Sequence, residues 1–251
     1  MSLLAYDKAD AVTCLFERAR TLQMELGCPE EKIQVTPNGI DVDGFADIPG
    51  KNPEEQMINI GAVLRVSPIK DVKTMIQAFA FAKKSVPKLK LWIMGPTDED
   101  ECFDLVDSLG VSDIEFTGRV NVKEYLGRMD FTILTSISEG QPLTILESYA
   151  AHKPTIATDV GNCRELIYGN DDGFGAAGIL THIMNLEEIA QAMIDLAIDP
   201  EGREQMGEAG YKRVTSFYRI EQMKETYKEI YRRFAEEQQV EWTEEPFQLK
   251  R

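Results

Sequence analysis

The chain has 251 residues, 43% of them hydrophobic, enough for one large or two small domains with a sizeable core. Its 27 Lys and Arg against 43 Asp and Glu leave a net charge of −16 and no basic tract, which argues against nucleic-acid binding and against adsorption to anionic lipid. Apolar runs are too short to span a bilayer, no signal peptide is read at the start, and four scattered cysteines (Cys14, Cys28, Cys102 and Cys163) fit a reduced, cytoplasmic chain without structural zinc.

In chain order, KADAVTCLF (8–16) reads as a short buried strand and ERARTLQMELG (17–27) as a helix stopped by Gly27. IQVTPNGID (33–41) reads as a strand ending in a turn. Residues 42–56, with two glycines, two prolines and mixed charge, read as a linker. From residue 57 strands and helices alternate. Strands are expected at Met57–Leu64, Leu89–Met94, Ile114–Thr117, Phe131–Leu134, Thr155–Thr158 and near Ala177–Leu180. Helices are expected at Asp71–Val86, Asp98–Leu109, Val122–Arg128 and from Pro142, where Leu143, Leu146, Tyr149 and Ala150 recur at helical spacing. Three closing helices follow at Leu186–Ala197, Arg203–Ser216 and Arg219–Glu237, the last with an apolar stripe of Ile220, Met223, Tyr227, Ile230, Tyr231 and Phe234. Residues 238–251 read as a loose tail. The alternation predicts an α/β fold: a doubly wound, Rossmann-like parallel sheet with closing C-terminal helices.

Two loops carry the chemistry. In RVSPIKD, after the first strand of this sheet, Arg65 and Lys70 stand five apart with Pro68 between them. A planar fork and a point charge together suit a diphosphate. In SEGQPLTILESYAAHKPTIATDVG (138–161), a polar loop leads into a helix start, whose free N–H groups and dipole favour an anion. Glu139 and Glu147 bracket that start. A carboxylate beside an anion site makes sense when the ligand also carries hydroxyls, and a nucleotide sugar has both. With strand order 3-2-1-4-5-6, the loops after strands one and four flank the switch point and face each other across its crevice.

These strings resemble retaining glycosyltransferases of family 4, which have the GT-B fold. The family's E, seven residues, E signature corresponds to Glu139 and Glu147, with Gly140 after the first. KPTIATDVGNCREL (153–166) resembles the string that follows it there, and ADAV through PNGID resembles the end of the family's N-terminal domain. Asp71 stands where many members have Gly. RVSPIKDVKT and SISEGQPL resemble the Pel-type exopolysaccharide glycosyltransferases. The resemblance implies a division into residues 1–41 as the end of an N-terminal domain, 42–56 as linker, 57–237 as the nucleotide-sugar domain and 238–251 as tail.

It further implies transfer of a sugar, with retention, from a nucleotide sugar to a glycan acceptor, with UDP-glucose as donor. Arg65, Lys70 and Glu139 would be catalytic. The first two would neutralise the leaving diphosphate, and Glu139 would hold the donor sugar. Gly140 and the N–H groups of Leu143 and Thr144 would meet the phosphates, Glu147 the ribose, and Arg119 and Val120 in FTGRV (116–120) the base. No metal and no cofactor beyond the donor substrate are implied. The acceptor would be met through the missing N-terminal domain, and a membrane-associated synthase complex and self-association through an exposed Ala11–Phe16 strand are the further partners expected. The fragment alone is expected to bind nucleotide without turnover. The alternatives are a nucleotide-sugar epimerase of the same shape, which would need more histidines than His152 and His182, and a non-catalytic nucleotide-binding domain. Asp41-x-Asp43 reads as a chance DxD, and His152 as a helix-end charge.

Overall fold

In the computed structural model of the protein, residues 3–97 and 101–239 are described. The Asp98–Asp100 start of the expected helix and nearly all of the expected tail lie outside these residues. The chain opens with helix α1 (Leu3–Lys8), strand β1 (Val12–Cys14), helix α2 (Glu17–Glu25) and strand β2 (Ile33–Val35). Irregular packing is expected for this stretch from sequence. Instead β1 and β2 pair in parallel, Val12 opposite Ile33 and Cys14 opposite Val35. Cys14, Cys28 and Ile33 form a small core beneath them.

Six further strands form one parallel sheet. They are β3 (Ile58–Val63), β4 (Leu89–Met94), β5 (Ile114–Gly118), β6 (Phe131–Leu134), β7 (Thr155–Thr158) and β8 (Gly178–Thr181). The spatial order is β5-β4-β3-β6-β7-β8, the 3-2-1-4-5-6 order expected. Every residue of β6 and β7 is buried, as central parallel strands covered on both faces must be. Between the strands lie α3 (Val72–Ser85), α4 (Glu101–Leu109), α5 (Val122–Leu126), α6 (Leu143–Ala150) and α7 (Cys163–Tyr168). The closing helices are α8 (Leu186–Ile198), α9 (Pro200–Phe217) and α10 (Ile220–Glu237). Side chains alternate across a strand, so the sheet feeds two cores. One gathers Ile60, Leu91, Ile93 and Phe131 under α3 and α8. The other gathers Leu134 and Ala157 with α6, α7 and α9.

Three local expectations change. Helix α7 falls between the expected strands at Thr155–Thr158 and near Ala177–Leu180, where no helix is expected from sequence, because six residues carry too little period to show. Pro142 is the residue before α6, extended at φ −72°, ψ 114°, and not its first helical residue. The apolar stripe of α10 is not fully covered: Ile230 is buried, Ile220, Met223, Tyr227 and Phe234 are half-buried, and Tyr231 is 55% exposed. Amphipathic spacing specifies a helix and a face, but not whether anything covers that face.

Candidate functional site

The loop after β3 and the loop after β6 are stitched together before any charged side chain is considered. Thr135 Oγ1 donates to the carbonyls of Lys70 (2.9 Å) and Asp71 (3.1 Å), and the Ile137 N–H donates to Ile69 O at 2.8 Å. This fixes where Lys70 emerges. Its Nζ lies 2.5 Å from Glu139 Oε1, and Ser136 Oγ donates to the same oxygen at 2.6 Å. The Glu139 side chain is only 11% exposed, so the pair faces inward across the crevice. Arg65 stands exposed at the head of the first loop. Asp71 adopts left-handed φ 47°, ψ 47° ahead of α3 and accepts a hydrogen bond from Thr74 Oγ1 at 2.9 Å. That backbone explains why glycine suits the position, and why a short polar side chain able to bond locally is the substitute.

Helix α6 is anchored from behind. Ser148 Oγ meets Thr132 Oγ1 at 2.9 Å, and Thr132 meets Thr155 Oγ1 at 2.7 Å, a buried hydroxyl chain joining α6 to β6 and β7. The first turn of α6 therefore points at the crevice by construction. The main-chain N–H groups of Leu143 and Thr144 precede the first turn-closing bond, Ile145 N–H to Pro142 O at 3.2 Å. The Leu143 side chain is not a core residue as its spacing suggests: it is 45% exposed, and Ile145 takes the buried position. Glu147 is half-buried, and burial raises its carboxyl pKa while the charge of Lys123 opposes the shift.

Arg119 and Val120 meet Thr144 in a cleft of about 340 Å³ that Val63, Met94 and Gly95 help to line. Gly95 has φ 143°, and a Cβ there would lie 1.9 Å from Leu64 O. Only glycine lets the ends of β3 and β4 approach so closely at the cleft floor. Lys70 and Glu139 thus touch, Arg119, Val120 and Thr144 share one cleft, and Glu147 sits a turn into α6.

Four supports escape a motif reading. Gly161 (φ 53°) lies against the carbonyls of Glu139 and Gly140, where a Cβ would approach within 2.3 Å and 2.4 Å. Asn162 N–H donates to Gly140 O at 2.9 Å, and Thr158 Oγ1 to Ser136 O at 2.6 Å. Gln141, buried, accepts at its Oε1 from the Asn38 N–H at 2.6 Å, tying the PNG turn to the loop before α6. The signal available in sequence is a large amide inside an otherwise apolar helix start. The remaining polar candidates are occupied elsewhere. Asp41 pairs with Lys123 at 3.5 Å and Asp43 with Arg219 at 3.1 Å. His152 stacks on Tyr211 with ring centres 3.8 Å apart and lies 3.5 Å from Glu208, where partial desolvation lowers its pKa and the Glu208 charge opposes the shift. Among the described residues no helix is long and apolar enough to cross a membrane.

Residues 45–213 match the family described as glycosyl transferases group 1. The chain belongs to this family. N-acetyl-alpha-D-glucosaminyl L-malate synthase of Bacillus anthracis is 29% identical over 237 residues, 90% of this chain and 60% of that enzyme. The amylovoran biosynthesis glycosyltransferase AmsK of Erwinia amylovora is 27% identical over 162 residues, 59% of this chain and 39% of that protein. Among solved structures, Anabaena HepE in complex with UDP and glucose superposes with a TM-score of 0.76 at 20% identity, over 90% of this chain and 64% of that one. The chain therefore spans 60% or less of the length of those two curated relatives. Its parallel sheet and crossing helices are shared with GT-B glycosyltransferases.

Proposed function

We propose that this chain supplies the donor-binding half of a retaining glycosyltransferase that moves a hexose from a UDP-sugar, UDP-glucose in the first instance, to a glycan acceptor in exopolysaccharide synthesis. The observation that carries the proposal is the meeting of the two loops at the switch point, with Lys70 Nζ 2.5 Å from Glu139 Oε1 and the α6 N-terminus beside them. The UDP complexes of HepE and the amylovoran biosynthesis named for AmsK support the choice of donor and pathway.

Arg65 and Lys70 take up charge on the departing diphosphate, where fixed cations in a desolvated cleft act most strongly. The N–H groups of Gly140, Leu143 and Thr144 hold the same phosphates. Glu147 accepts from ribose hydroxyls. Glu139 accepts from hydroxyls of the donor sugar and orients its anomeric carbon, while Arg119 and Val120 border the base. These cations and the helix start supply the positive charge a diphosphate needs without a metal. Calorimetry of the chain against UDP, GDP and ADP tests the reading: UDP should bind best and uridine more weakly. Equal or absent binding of all three nucleotides would overturn it.

A further inference from the structure

A second cavity, of about 320 Å³, shares no lining residue with the cleft and falls in the size range of small-ligand sites, ~300–1,000 Å³. Pro37, Glu165, Asn170, Phe217 and Tyr218 line it, with Asp172 and Arg213 in its wall. The wall charges are already used. Arg213 Nε and Nη2 grip the two oxygens of Asp172 at 2.6 Å and 3.1 Å, and its remaining donors reach the carbonyls of Leu166, Ile167 and Gly175. What faces the space is a carboxyl, an amide and an aromatic surface. The Glu165 carboxyl has the Tyr218 hydroxyl at 3.4 Å, a long contact. Phe217 is 50% exposed and is held by Phe174, with ring centres 6.2 Å apart.

This lining selects against anions, since its one cation is neutralised and Glu165 adds negative charge. A phosphate or nucleotide is therefore the wrong chemistry. An exposed ring face attracts the positive C–H edge of a ligand lying flat on it. A carboxyl and a side-chain amide bind neighbouring hydroxyls. Burial raises the Glu165 pKa, which favours hydroxyl partners over an ammonium group. The cavity is also coupled to the first site: Glu165 rides on α7, whose start bonds Gly140 O, and Pro37 precedes Asn38, which bonds Gln141.

We propose that this cavity is a second carbohydrate site, which holds a neutral sugar unit of the glycan chain while the donor site is filled. It rests on the reading of the acceptor as a glycan. Phe217 stacks on the sugar face, and Glu165 and Asn170 take its hydroxyls.

The test uses saturation-transfer NMR and calorimetry on the whole chain, with maltohexaose, cellohexaose and chitohexaose as probes and UDP as an independent ligand. At least one oligosaccharide should bind saturably, equally well with UDP present and in Lys70→Ala. Phe217→Ala should weaken that binding by about tenfold through loss of one aromatic face, and leave UDP affinity unchanged. Glu165→Gln, which keeps shape, should weaken it less. Thermal melts check folding, and the exposure of Phe217 makes that variant safe. No saturable binding of any probe, wild-type affinity in both variants, or displacement by UDP would each overturn the proposal. Absence of UDP binding by the unaltered chain, with oligosaccharide binding intact, would instead count against the donor reading.

Discussion

At the scale of single residues, the contact between Lys70 and Glu139 makes their roles separable. With no phosphate present the ammonium is held by the carboxylate, 2.5 Å away. Lys70→Ala should weaken UDP binding by roughly 1.5–3 kcal/mol, the range for a hydrogen bond to a charged group, and leave uridine untouched. Glu139→Ala should behave differently. It releases Lys70, so UDP affinity should stay level or rise, while transfer from UDP-glucose falls in the complete enzyme because an orienting contact is felt in the transition state. Glu147→Ala should weaken uridine and UDP alike, since both carry ribose. Titrating uridine, UDP and UDP-glucose against each variant reads all three patterns, and equal losses of uridine and UDP in Lys70→Ala would refute the phosphate assignment.

At the scale of elements, the loop before α6 is held from outside itself. Gly161 sits at φ 53° against the Glu139 and Gly140 carbonyls, so a methyl group has no room and the backbone is unfavourable for it. Gly161→Ala should therefore displace the loop, costing more than about 1 kcal/mol of stability and lowering UDP affinity together. A variant with wild-type melting and wild-type UDP binding would refute that support. Helix α9 is pinned to the loop before β8 by Arg213, whose side chain is 1% exposed. Removing it leaves the buried Asp172 carboxylate without its cation, with the Phe174 N–H at 3.0 Å still donating to it. Arg213→Ala should cost on the order of 3–5 kcal/mol, visible as a large fall in the urea midpoint.

At the scale of the whole molecule, pH shifts the fold in two opposed ways. Burial makes Glu147 and Glu165 harder to ionise in the folded chain than in the unfolded one. The stability they confer is complete below their ordinary value of 4.5 and is lost as pH rises through their raised folded values. Asp172, held low first by its hydrogen bond from Arg213, acts the other way: its contribution is present above 3.8 and is lost as pH falls. The double variant Glu147→Gln, Glu165→Gln should gain stability relative to the parent as pH rises from acid to neutral. Melting curves across that range check it, and parallel profiles would count against the burial argument.

The sequence alone determined the alternation of strand and helix, because periods of two and about 3.6 are local, and one-handed crossovers narrowed the sheet order without fixing it, so the 3-2-1-4-5-6 order was taken from the doubly wound class. That placed the Arg65–Lys70 loop opposite the Glu139–Glu147 segment. The resemblance of these strings to known glycosyltransferases implied a family, and the match over residues 45–213 shows membership of glycosyl transferases group 1. The tertiary structure decided what lies between. Lys70 and Glu139 are 69 residues apart in the chain, and Asn38 and Gln141 are 103 apart, so no local pattern encodes either bond. The pressure of Gly161 on the Glu139 carbonyl, the outward turn of Leu143, the short helix α7 and the partly covered face of α10 are likewise products of packing. Each depends on which surfaces the chain brings together, a quantity that residue order specifies only through the completed fold.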